Sequence, residues 1–463
     1  MADLHGMELS LSVAAELPDW TETVAYLTAP GRAHAVEVLR QAEAARRPLV
    51  QPRCGVGGHQ AMLRLLGDLE PARPGMLSVT IDAHTRLKRF TTAESLLRAN
   101  PLDLNGYPLV AHGWRRGREL VEAVGVPLEI RHGSPDGRDL FAVALASGIT
   151  SFEGGGIGYN LPYSKDVPLS VSLRDWQQVD ALCGWLAGHG VVVDRELFGT
   201  LTAVLVPPSI SLAVTLLEAC AAAREGVRCL SLSYPQGGEV HQDVAALRAI
   251  RTLAARYLPE DVEVFPVLHE FMGVFPRTPA FARALILCGG LVARLGRATK
   301  VISKTTQEAF GIPDSTANAD GIQAARIGAS ELLDFVRIDE DRVAEEKYWI
   351  EREVAELIEP VLGSADILAG IALAFREGQL DIPFSASIHA HSRIMPQRDS
   401  GGAIRFADTA SLPFSDATLA FHKERLRSVG GAGRTLMETA SADIYHFLSQ
   451  ESSMLLDDTK TRL

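Results

Sequence analysis

Short apolar runs rich in Val, Ile and Leu recur along the chain, each followed by a polar or Gly/Pro-containing loop and then by a stretch with helical spacing. Predicted helices such as 211–226 and 243–258 fall between the runs, which is the alternation of a parallel sheet. Eight strand–helix units predict an α/β fold, an eight-stranded β/α barrel of the TIM type. The eight runs lie at residues 48–53, 77–83, 127–133, 149–155, 202–208, 229–235, 264–270 and 300–305.

The segments outside the repeat are predicted to be mainly helical. We expect residues 1–45 to form a helical N-terminal segment, with a helix over 31–47, and residues 46–345 to form the barrel. Residues 346–463 are expected to be a C-terminal extension of helices and loops. The run "VVVDRELFG" (191–199) could be a ninth strand or part of the fifth unit, and we treat it as an excursion before the fifth strand.

Composition limits the partners and the compartment. The 463-residue chain has a net charge of −12 with interspersed signs, which argues against nucleic acid or an anionic membrane as the main partner. Its start carries acids where a signal peptide has a basic and then an apolar run, and no segment reaches the ~18 apolar residues of a membrane span. We therefore expect a soluble, cytoplasmic protein. Five scattered cysteines without a Cys-x-x-Cys pair are expected to be reduced thiols: Cys54, Cys183, Cys220, Cys229 and Cys288.

The stretch "ITSFEGGGIGYNLPY" (149–163) places the carboxylate of Glu153 before three consecutive glycines. Neither the dinucleotide-binding fingerprint nor the P-loop fits this spacing, because Tyr159 stands where the fingerprint needs Gly and no P-loop Lys follows. A helix is not expected, because Pro162 would break the turn that could stack the two tyrosines. We predict a strand ending at Phe152 and then an exposed loop whose bare backbone lets a ligand come close.

Charged residues stand at the C-terminal ends of several predicted strands, where such barrels form their active sites. A single Arg there is more often a surface cation or a helix-cap partner, but three in consecutive units would repel one another unless a multiply anionic ligand joined them. A dicarboxylate would do so through bidentate pairs, and Glu153 would then meet an ammonium group of the same ligand. The set predicts a site for an acidic amino acid. Its members are Arg53, Arg86, Arg131, Glu153 and Lys304.

Several longer motifs resemble one family, in the same order along the chain. They are "QPRCGV", "TIDAHTR", "PLEIRHGSPD", "SFEGGGIGYNLPY", "FGTLTAVLVPPS", "SKTTQEAFGIP", "GQLDIPFSAS" and "LPFSDATLAFHKERL". Together they are similar to the epsilon, or catalytic, subunit of glutamate mutase, also called methylaspartate mutase. The likeness runs from about residue 46 to the end of the chain.

The resemblance implies an isomerase that uses adenosylcobalamin to interconvert L-glutamate and L-threo-3-methylaspartate by a radical carbon-skeleton rearrangement. It implies Glu153 as the catalytic residue, and a corrin ring lying across Gly154 to Gly156, which have no side chains to hold it off. The residues that match substrate contacts are Arg53, Arg86, Arg131, His132, Glu153, Tyr159 and Tyr163. Those that match cofactor contacts are Gly55, Asn105, Pro162, Phe275, Lys304, Glu308 and Ile312.

The resemblance also implies a small partner subunit whose Asp-x-His-x-x-Gly motif ligates the cobalt of the cofactor. In this chain "DAHTRL" has Leu87 where that motif needs Gly, and it follows a barrel strand. We therefore expect no cobalt ligation by His84 and no metal site in this chain. Self-association of the barrel subunit as a dimer would give a heterotetramer with two small subunits.

Alternatives to this function remain open. Thr306 and Gln307 depart from the family pattern beside Lys304 and could loosen its ribose contact, which would suit a non-catalytic paralogue; a mutase for another acidic amino acid is also possible. The segment "SIHAHSR" gives His389 and His391 the spacing of metal-dependent hydrolase barrels, but there the pair belongs to the first strand. The full set of departures is Cys54, His84, Leu197, Thr306 and Gln307.

Overall fold

An antiparallel hairpin opens the chain in the computed structural model, which describes residues 2–31, 33–200, 205–429 and 435–460. Met7 and Leu9 of the hairpin are buried and belong to the hydrophobic core. The helix expected over 31–47 is confirmed with shorter bounds, whereas the hairpin was not predicted. The elements of this segment are β1 (Ala2–Leu4), β2 (Met7–Leu9), α1 (Leu11–Glu16), α2 (Trp20–Leu27) and α3 (Ala35–Ala45).

Eight parallel strands follow and curl into a nearly closed barrel, which confirms the predicted fold class. They are β3 (Leu49–Pro52), β4 (Leu77–Thr80), β5 (Leu128–Arg131), β6 (Ser151–Glu153), β7 (Asp194–Leu197), β8 (Cys229–Pro235), β9 (Glu263–His269) and β10 (Lys300–Ser303). Their order is β3-β10-β9-β8-β7-β6-β5-β4, so the first and last strands pair directly. All loops that leave the carboxyl ends of these strands therefore meet at one mouth.

The seam between β3 and β4 closes by side-chain and flanking backbone bonds. Pro52 has no N–H to give to a ladder, since its nitrogen is part of the ring. The Ser78 hydroxyl donates to the Pro52 carbonyl (2.7 Å) and accepts from the Cys54 N–H (3.2 Å). On either side of it, Gly75 N–H donates to Val50 (2.9 Å) and Thr80 N–H to Cys54 (2.8 Å). These bonds hold the two strands side by side where the regular ladder is interrupted.

The predicted fifth strand, 202–208, is wrong. The fifth strand is β7, inside the run 191–199 that we treated as an excursion. Of the predicted range, residues 202–204 lie outside the described residues, and a helix begins at Pro208. Its polar residues Asp194 and Glu196 are both buried inside the barrel.

Helices surround the barrel, and the predicted helices at 211–226 and 243–258 are confirmed as α11 and α12. Helix α11 is buried on almost every side, because the C-terminal extension packs over it; Ser209 donates to Glu353 at 2.6 Å across that contact. The helices are α4 (His59–Leu69), α5 (Ala83–Arg86), α6 (Phe90–Ala99), α7 (Leu109–His112), α8 (Trp114–Glu122), α9 (Arg138–Ala146), α10 (Leu169–Ala187), α11 (Pro208–Arg224), α12 (Val240–Tyr257), α13 (Pro279–Leu295) and α14 (Ser315–Gly328).

The C-terminal extension is mostly helical, as expected, with one hairpin that was not predicted. Its elements are α15 (Glu340–Leu362), α16 (Ile367–Glu377), β11 (Met395–Arg398), β12 (Ile404–Asp408), α17 (Asp416–Leu426), α18 (Leu436–Ile444) and α19 (His446–Lys460). Among the described residues no single helix has the length and apolar character to cross a membrane. Helices α15 and α16 reach that measure only when taken together, and they are bent by 118° at their junction.

The five cysteines are free thiols, as their spacing predicted. Four are buried and Cys288 is half-buried. Burial raises the pKa of the Cys54 thiol to about 11, and its Sγ lies 3.0 Å from the Ser78 carbonyl. Cys54 therefore takes part in the barrel seam as a protonated, packed side chain.

Candidate active site

The inside of the barrel carries charges where such barrels usually pack Val, Ile and Leu. Alternate residues of a strand face the same side, so Glu129 and Arg131 of β5 both face inward, as do Asp194 and Glu196 of β7. Lys300 of β10 joins them and is fully buried. Charged side chains from β5, β7 and β10, which are not neighbouring strands, thus meet inside the barrel in one ionic network.

Glu196 is the most highly coordinated carboxylate of this network. It accepts hydrogen bonds from Lys300 Nζ (2.6 Å), Arg131 Nη2 (2.9 Å), Ser233 Oγ (2.8 Å) and His269 Nε2 (2.8 Å). Burial alone would raise its pKa, but the charges of Arg131 and Lys300 hold the pKa well below its usual range. Glu196 is therefore an anion at neutral pH. The sequence interpretation missed it together with Glu129, Lys300 and Asp194, although polar residues alternating along a strand-like run are the signal that marks them.

Arg131 is surrounded by carboxylates of its own chain. Its Nη1 donates to Glu153, and its Nη2 donates to Glu196 and, at 3.2 Å, to Glu129. The expectation that the three arginines need a ligand to balance their charge is therefore wrong for this one, because its side chain is 2% exposed and has three internal partners. Whether it also contacts a substrate stays a prediction.

Glu153 lies at the inner end of the mouth. One carboxylate oxygen accepts from Arg131 and the other from the Tyr159 hydroxyl. Burial raises the pKa of Glu153 to about 7; Arg131 lowers it, the charge of Glu196 raises it, and the Tyr159 hydrogen bond lowers it. A carboxyl that titrates near neutral pH can exist in either form under physiological conditions, which is the property expected of a group that meets a charged ligand.

His132 is a neutral, fixed side chain beside Glu153. Its Nδ1 accepts from the Ser134 N–H (3.0 Å), so Nε2 carries the proton and donates to the Glu153 carbonyl (2.9 Å). Burial lowers the pKa of His132 to about 3. The imidazole also stacks on Trp176, with ring centroids 5.7 Å apart. It thus fixes the backbone that carries Glu153.

The loop after β6 is buried, and the exposed loop predicted from its sequence is wrong. Residues 151–161 have almost no exposed surface, and the strand continues to Glu153. The rings of Tyr159 and Tyr163 do touch, edge to face with centroids 5.8 Å apart, although no helix forms. Of the two tyrosines only Tyr163 reaches the surface, with 41% of it exposed.

The glycines of this loop make room for the protein itself. A Cβ on Gly155 would lie 2.4 Å from the Glu218 carboxylate, and one on Gly156 would lie 2.8 Å from the Leu173 backbone. Gly154 has φ near +122° and is packed against Tyr159. The expectation that these glycines leave space for a ligand is therefore wrong. Buried Glu218 accepts from the N–H groups of residues 157 (2.6 Å) and 158 (2.9 Å), which orders the loop.

Arg53 and Arg86 lie at the mouth, and their charges are not balanced. Arg53 follows β3 directly and Arg86 ends α5 after β4; both are half-buried. Within the described ranges neither guanidinium has a hydrogen-bond or ion-pair partner. Burial raises the pKa of Tyr163, while the charges of both arginines lower it, which places them around one tyrosine. Arg53 also lowers the pKa of Glu153.

Glu153, Glu196 and His269 place possible metal-ligand atoms within 4.8 Å of one another. The positive charge beside these ligands already comes from Arg131 and Lys300, which donate to the carboxylates. We therefore assign the cluster to the ionic network and propose no metal there.

Most of the chain matches one protein family. The family model described as Methylaspartate mutase E chain matches residues 29–447. The chain belongs to this family. The resemblance found in its motifs is thereby confirmed, and the ionic network lies in the barrel of a mutase family.

Relatives named "Glutamate mutase epsilon subunit" agree with this membership. The Halobacterium salinarum protein is 42% identical over 434 residues, which cover 92% of this chain and 90% of the relative. The Desulfitobacterium hafniense protein is 40% identical over 424 residues, covering 89% and 88%. The Escherichia coli O157:H7 protein is 40% identical over 400 residues, covering 83% and 82%.

Two residues that match cofactor contacts of the methylaspartate mutase family line one cavity. Gly55 and Ile312 meet there with Leu102, beside a space of about 760 Å³ at the mouth. Gly55 itself is needed for packing, because a Cβ would lie 2.4 Å from the Thr80 carbonyl. Asn105 is exposed nearby, and its side chain accepts from the Ala83 N–H at 2.9 Å.

The other residues of that set lie on loops of the same mouth. Lys304 Nζ contacts the Glu308 carboxylate at 3.1 Å. The Lys304 backbone is fixed on both sides, because buried Glu270 accepts from the Lys304 N–H (2.7 Å) and Gly321 leaves space for the Lys304 carbonyl. Phe275 is 2% exposed, whereas Pro162 is half-buried. Their contacts with a cofactor stay predictions.

The departures from the methylaspartate mutase pattern are accommodated locally. Gln307 donates to the Asp314 carboxylate and accepts from the Asp314 N–H, both at 2.9 Å, and Asp314 caps α14. His84 lies in α5, where Asp82 accepts from the His84 N–H at 2.8 Å as a helix cap. The Asp-x-His spacing of this segment therefore has a structural use.

The histidine pair that suggested a hydrolase lies outside the barrel strands. His389 and His391 belong to the C-terminal extension, and His391 Nε2 bonds the Arg376 carbonyl at 2.9 Å. His269 is inside the barrel and bonded to Glu196. The structure does not bring these histidines together as a metal site would need.

Proposed function

We propose that this chain is the catalytic subunit of an adenosylcobalamin-dependent mutase that interconverts L-glutamate and L-threo-3-methylaspartate. The observation that carries the proposal is the pairing of two unbalanced arginines, Arg53 and Arg86, with the buried Glu153–Tyr159 pair below them. Two guanidiniums suit the two carboxylates of an acidic amino acid, and Glu153 suits its ammonium group. Membership in the methylaspartate mutase family agrees with that substrate class.

The rim of the mouth fits a broad ligand with apolar surface. Leu102 is 88% exposed, Phe310 68% and Ile312 64%, on two loops that border the cavity beside Gly55. Exposed apolar groups gathered around a site mark a binding surface. Gly55, Asn105 and Ile312 would hold the corrin side, and Lys304 with Glu308 would hold the ribose hydroxyls. When bound, adenosylcobalamin supplies a radical through cleavage of its carbon–cobalt bond.

The residues of this chain bind, orient and enclose the substrate. Arg53 and Arg86 would fix its carboxylates, which sets the carbon skeleton in one orientation for rearrangement. Glu153 would accept the ammonium while Arg131 and Tyr159 hold its two oxygens. The buried loop 151–161 and the filled barrel below keep water and stray hydrogen donors away from a reactive species.

Removal of each mouth cation tests the substrate assignment. We expect Arg53→Gln and Arg86→Gln each to raise KM for L-glutamate about 10- to 100-fold, since a hydrogen bond to a charged group contributes about 1.5–3 kcal/mol. Arg283→Gln is the matched control, because Arg283 pairs with Asp320 on the outer helices. An unchanged KM in both mouth variants would contradict the assignment.

A small cobalamin-binding subunit is part of the proposal. The sequence of this chain offers no Asp-x-His-x-x-Gly motif, so the cobalt is expected to be ligated by the partner. The relatives are named epsilon subunits, which agrees with a multi-subunit enzyme. We expect the isolated chain to bind the cofactor weakly and to turn over nothing, and to gain both properties with the small subunit. Gel filtration and a coupled assay, with and without that subunit, test this; full turnover by the chain alone would contradict it.

Two alternatives have their own tests. A non-catalytic paralogue would give no electron paramagnetic resonance signal when chain, partner, cofactor and substrate are mixed. A mutase for another acidic amino acid would give that signal with a different substrate and not with L-glutamate.

Gel filtration of the chain with the small subunit also tests the proposed self-association. A dimer of this chain would give a heterotetramer with two small subunits.

A further inference from the structure

The ionic network holds more carboxylates than cations. In the part of the chain that the structure describes, Glu129, Glu153 and Glu196 share the charges of two buried cations, Arg131 and Lys300. All five side chains are at most 2% exposed, so no water compensates the excess negative charge. A buried surplus of negative charge favours the protonated form of a carboxyl. Burial raises the pKa of Glu129 to about 8 and that of Glu153 to about 7, so these two groups hold a proton most readily.

Glu196 raises the pKa of both of these groups. It has four donors and stays ionised, so its negative charge acts constantly on its neighbours. It also binds Arg131 Nη2 at 2.9 Å, while Nη1 of the same guanidinium binds Glu153. Glu196 and Glu153 therefore compete for one cation from two neighbouring strands, β7 and β6.

We propose that Glu196 is a positioning residue that sets the charge with which Glu153 meets the substrate ammonium, acting through Arg131. The inference rests on the proposed function for the identity of that ammonium. Glu196 itself does not touch the substrate. It binds one side of the Arg131 guanidinium while Glu153 binds the other, and its negative charge raises the pKa of Glu153.

The charged and titratable groups around Glu153 act on its pKa in opposite directions. Arg131 from β5, Arg53 after β3 and the Tyr159 hydroxyl lower the pKa of Glu153, whereas Glu196 from β7 raises it. His269 from β9 lies 3.9 Å away and is neutral, because burial lowers its pKa to about 3. Removal of the Glu196 charge must therefore lower the pKa of Glu153.

The variant Glu196→Gln is suited to this test. It leaves Glu129 and Glu153 paired with Arg131 and Lys300, so the ion-paired charges balance and the fold is expected to persist. Asp194→Asn is the matched control on the same strand: Asp194 faces inward one layer deeper, accepts from Ser151 and Ser231 at 2.7 Å, and has no bond to Arg131 among the residues described.

L-Glutamate binding is measured by titration calorimetry from about pH 5.5 to about pH 8.5, on the full chain assembled with a cobalamin-binding subunit and an inert cobalamin. Ionised Glu153 binds the ammonium, so wild-type affinity should fall as the pH drops through about 7. In Glu196→Gln this midpoint should move down by about one unit, which raises affinity at pH 6 about fivefold over wild type. Asp194→Asn should keep the wild-type midpoint.

Each outcome decides the matter. A midpoint that stays in place in Glu196→Gln, or that moves equally in Asp194→Asn, would overturn this inference and leave the proposed function standing. Failure of the wild-type complex to bind L-glutamate at any pH would overturn the proposed function and the inference with it. If Glu196→Gln does not fold, Glu196→Asp is the second variant, because it keeps the charge on a shorter side chain. A folded Glu196→Asp complex with the wild-type midpoint and weaker L-glutamate binding supports the positioning role. Unchanged affinity in that complex overturns it.

Discussion

The Arg131 guanidinium donates directly to the Glu153 carboxylate across the neighbouring strands β5 and β6. The same guanidinium reaches Glu196 on β7, so one side chain links three adjacent strands. A contact of this kind needs a planar group with several donors in a fixed fork. The orientation of the proposed ammonium acceptor therefore depends on the shape of Arg131 as well as on its charge.

Arg131→Lys tests that dependence. Lysine keeps the charge but presents a compact ammonium that cannot bridge the carboxylates, so we expect kcat/KM of the assembled enzyme to fall roughly 30- to 1000-fold, or about 2–4 kcal/mol. The fold should be retained, as judged by circular dichroism. Arg283→Lys, at an exposed pair with Asp320, is the control and should stay near wild type. A loss below about threefold would remove Arg131 from the site.

Glu153→Gln separates a catalytic role from a structural one. The amide keeps the size of the side chain, and the buried network is left with two carboxylates against two cations. We therefore expect a large loss of kcat with a thermal midpoint close to that of wild type. Steady-state rates and a melting curve on the same preparation check this. If the midpoint collapsed together with activity, Glu153 would be a structural partner of Arg131 instead.

Tyr159→Phe should shift the pH dependence in the direction opposite to Glu196→Gln. The Tyr159 hydroxyl lowers the pKa of Glu153, so its removal raises that pKa above about 7. An acid is ionised above its pKa, and the acidic limb of the kcat/KM profile should therefore move to higher pH. Tyr234→Phe is the matched control, because Tyr234 donates to a different buried carboxylate, Asp243, at 2.9 Å. A limb displaced to lower pH would contradict the assigned role of Tyr159.

Gly155→Ala should destabilise the chain. Its Cβ would stand 2.4 Å from the Glu218 carboxylate and would displace it from the Ile157 and Gly158 N–H groups. We expect a loss of about 2–3 kcal/mol in the free energy of unfolding, measured with denaturant. Gly67→Ala is the control: nothing lies within 4 Å of that Cβ, and Ala should stabilise the α4 interior by about 0.5–1 kcal/mol. Equal stability of the two variants would show that Glu218 can move without loss.

The sequence by itself determined the architecture and the family. Apolar runs alternating with amphipathic segments predicted the parallel barrel, because that pattern is set locally by the period of each element. The long motifs identified the mutase family, and the charges at strand ends located the mouth with Arg53 and Arg86. Strand bounds were right within a few residues for seven of the eight strands. The division into three domains stays a prediction.

Only the tertiary structure decided which charges balance one another. We treated the run 191–199 as an excursion before the fifth strand, and the Glu196 carboxylate inside it is unfavourable until Lys300 and Arg131 arrive from other strands. The glycines beside Glu153 looked ready for a ligand, and the groups that fill their space, such as Glu218, come from a later helix. Contacts of this kind depend on closing the barrel, which joins residues far apart along the chain. No local pattern could encode them, because their stability exists only when all the strands are in place.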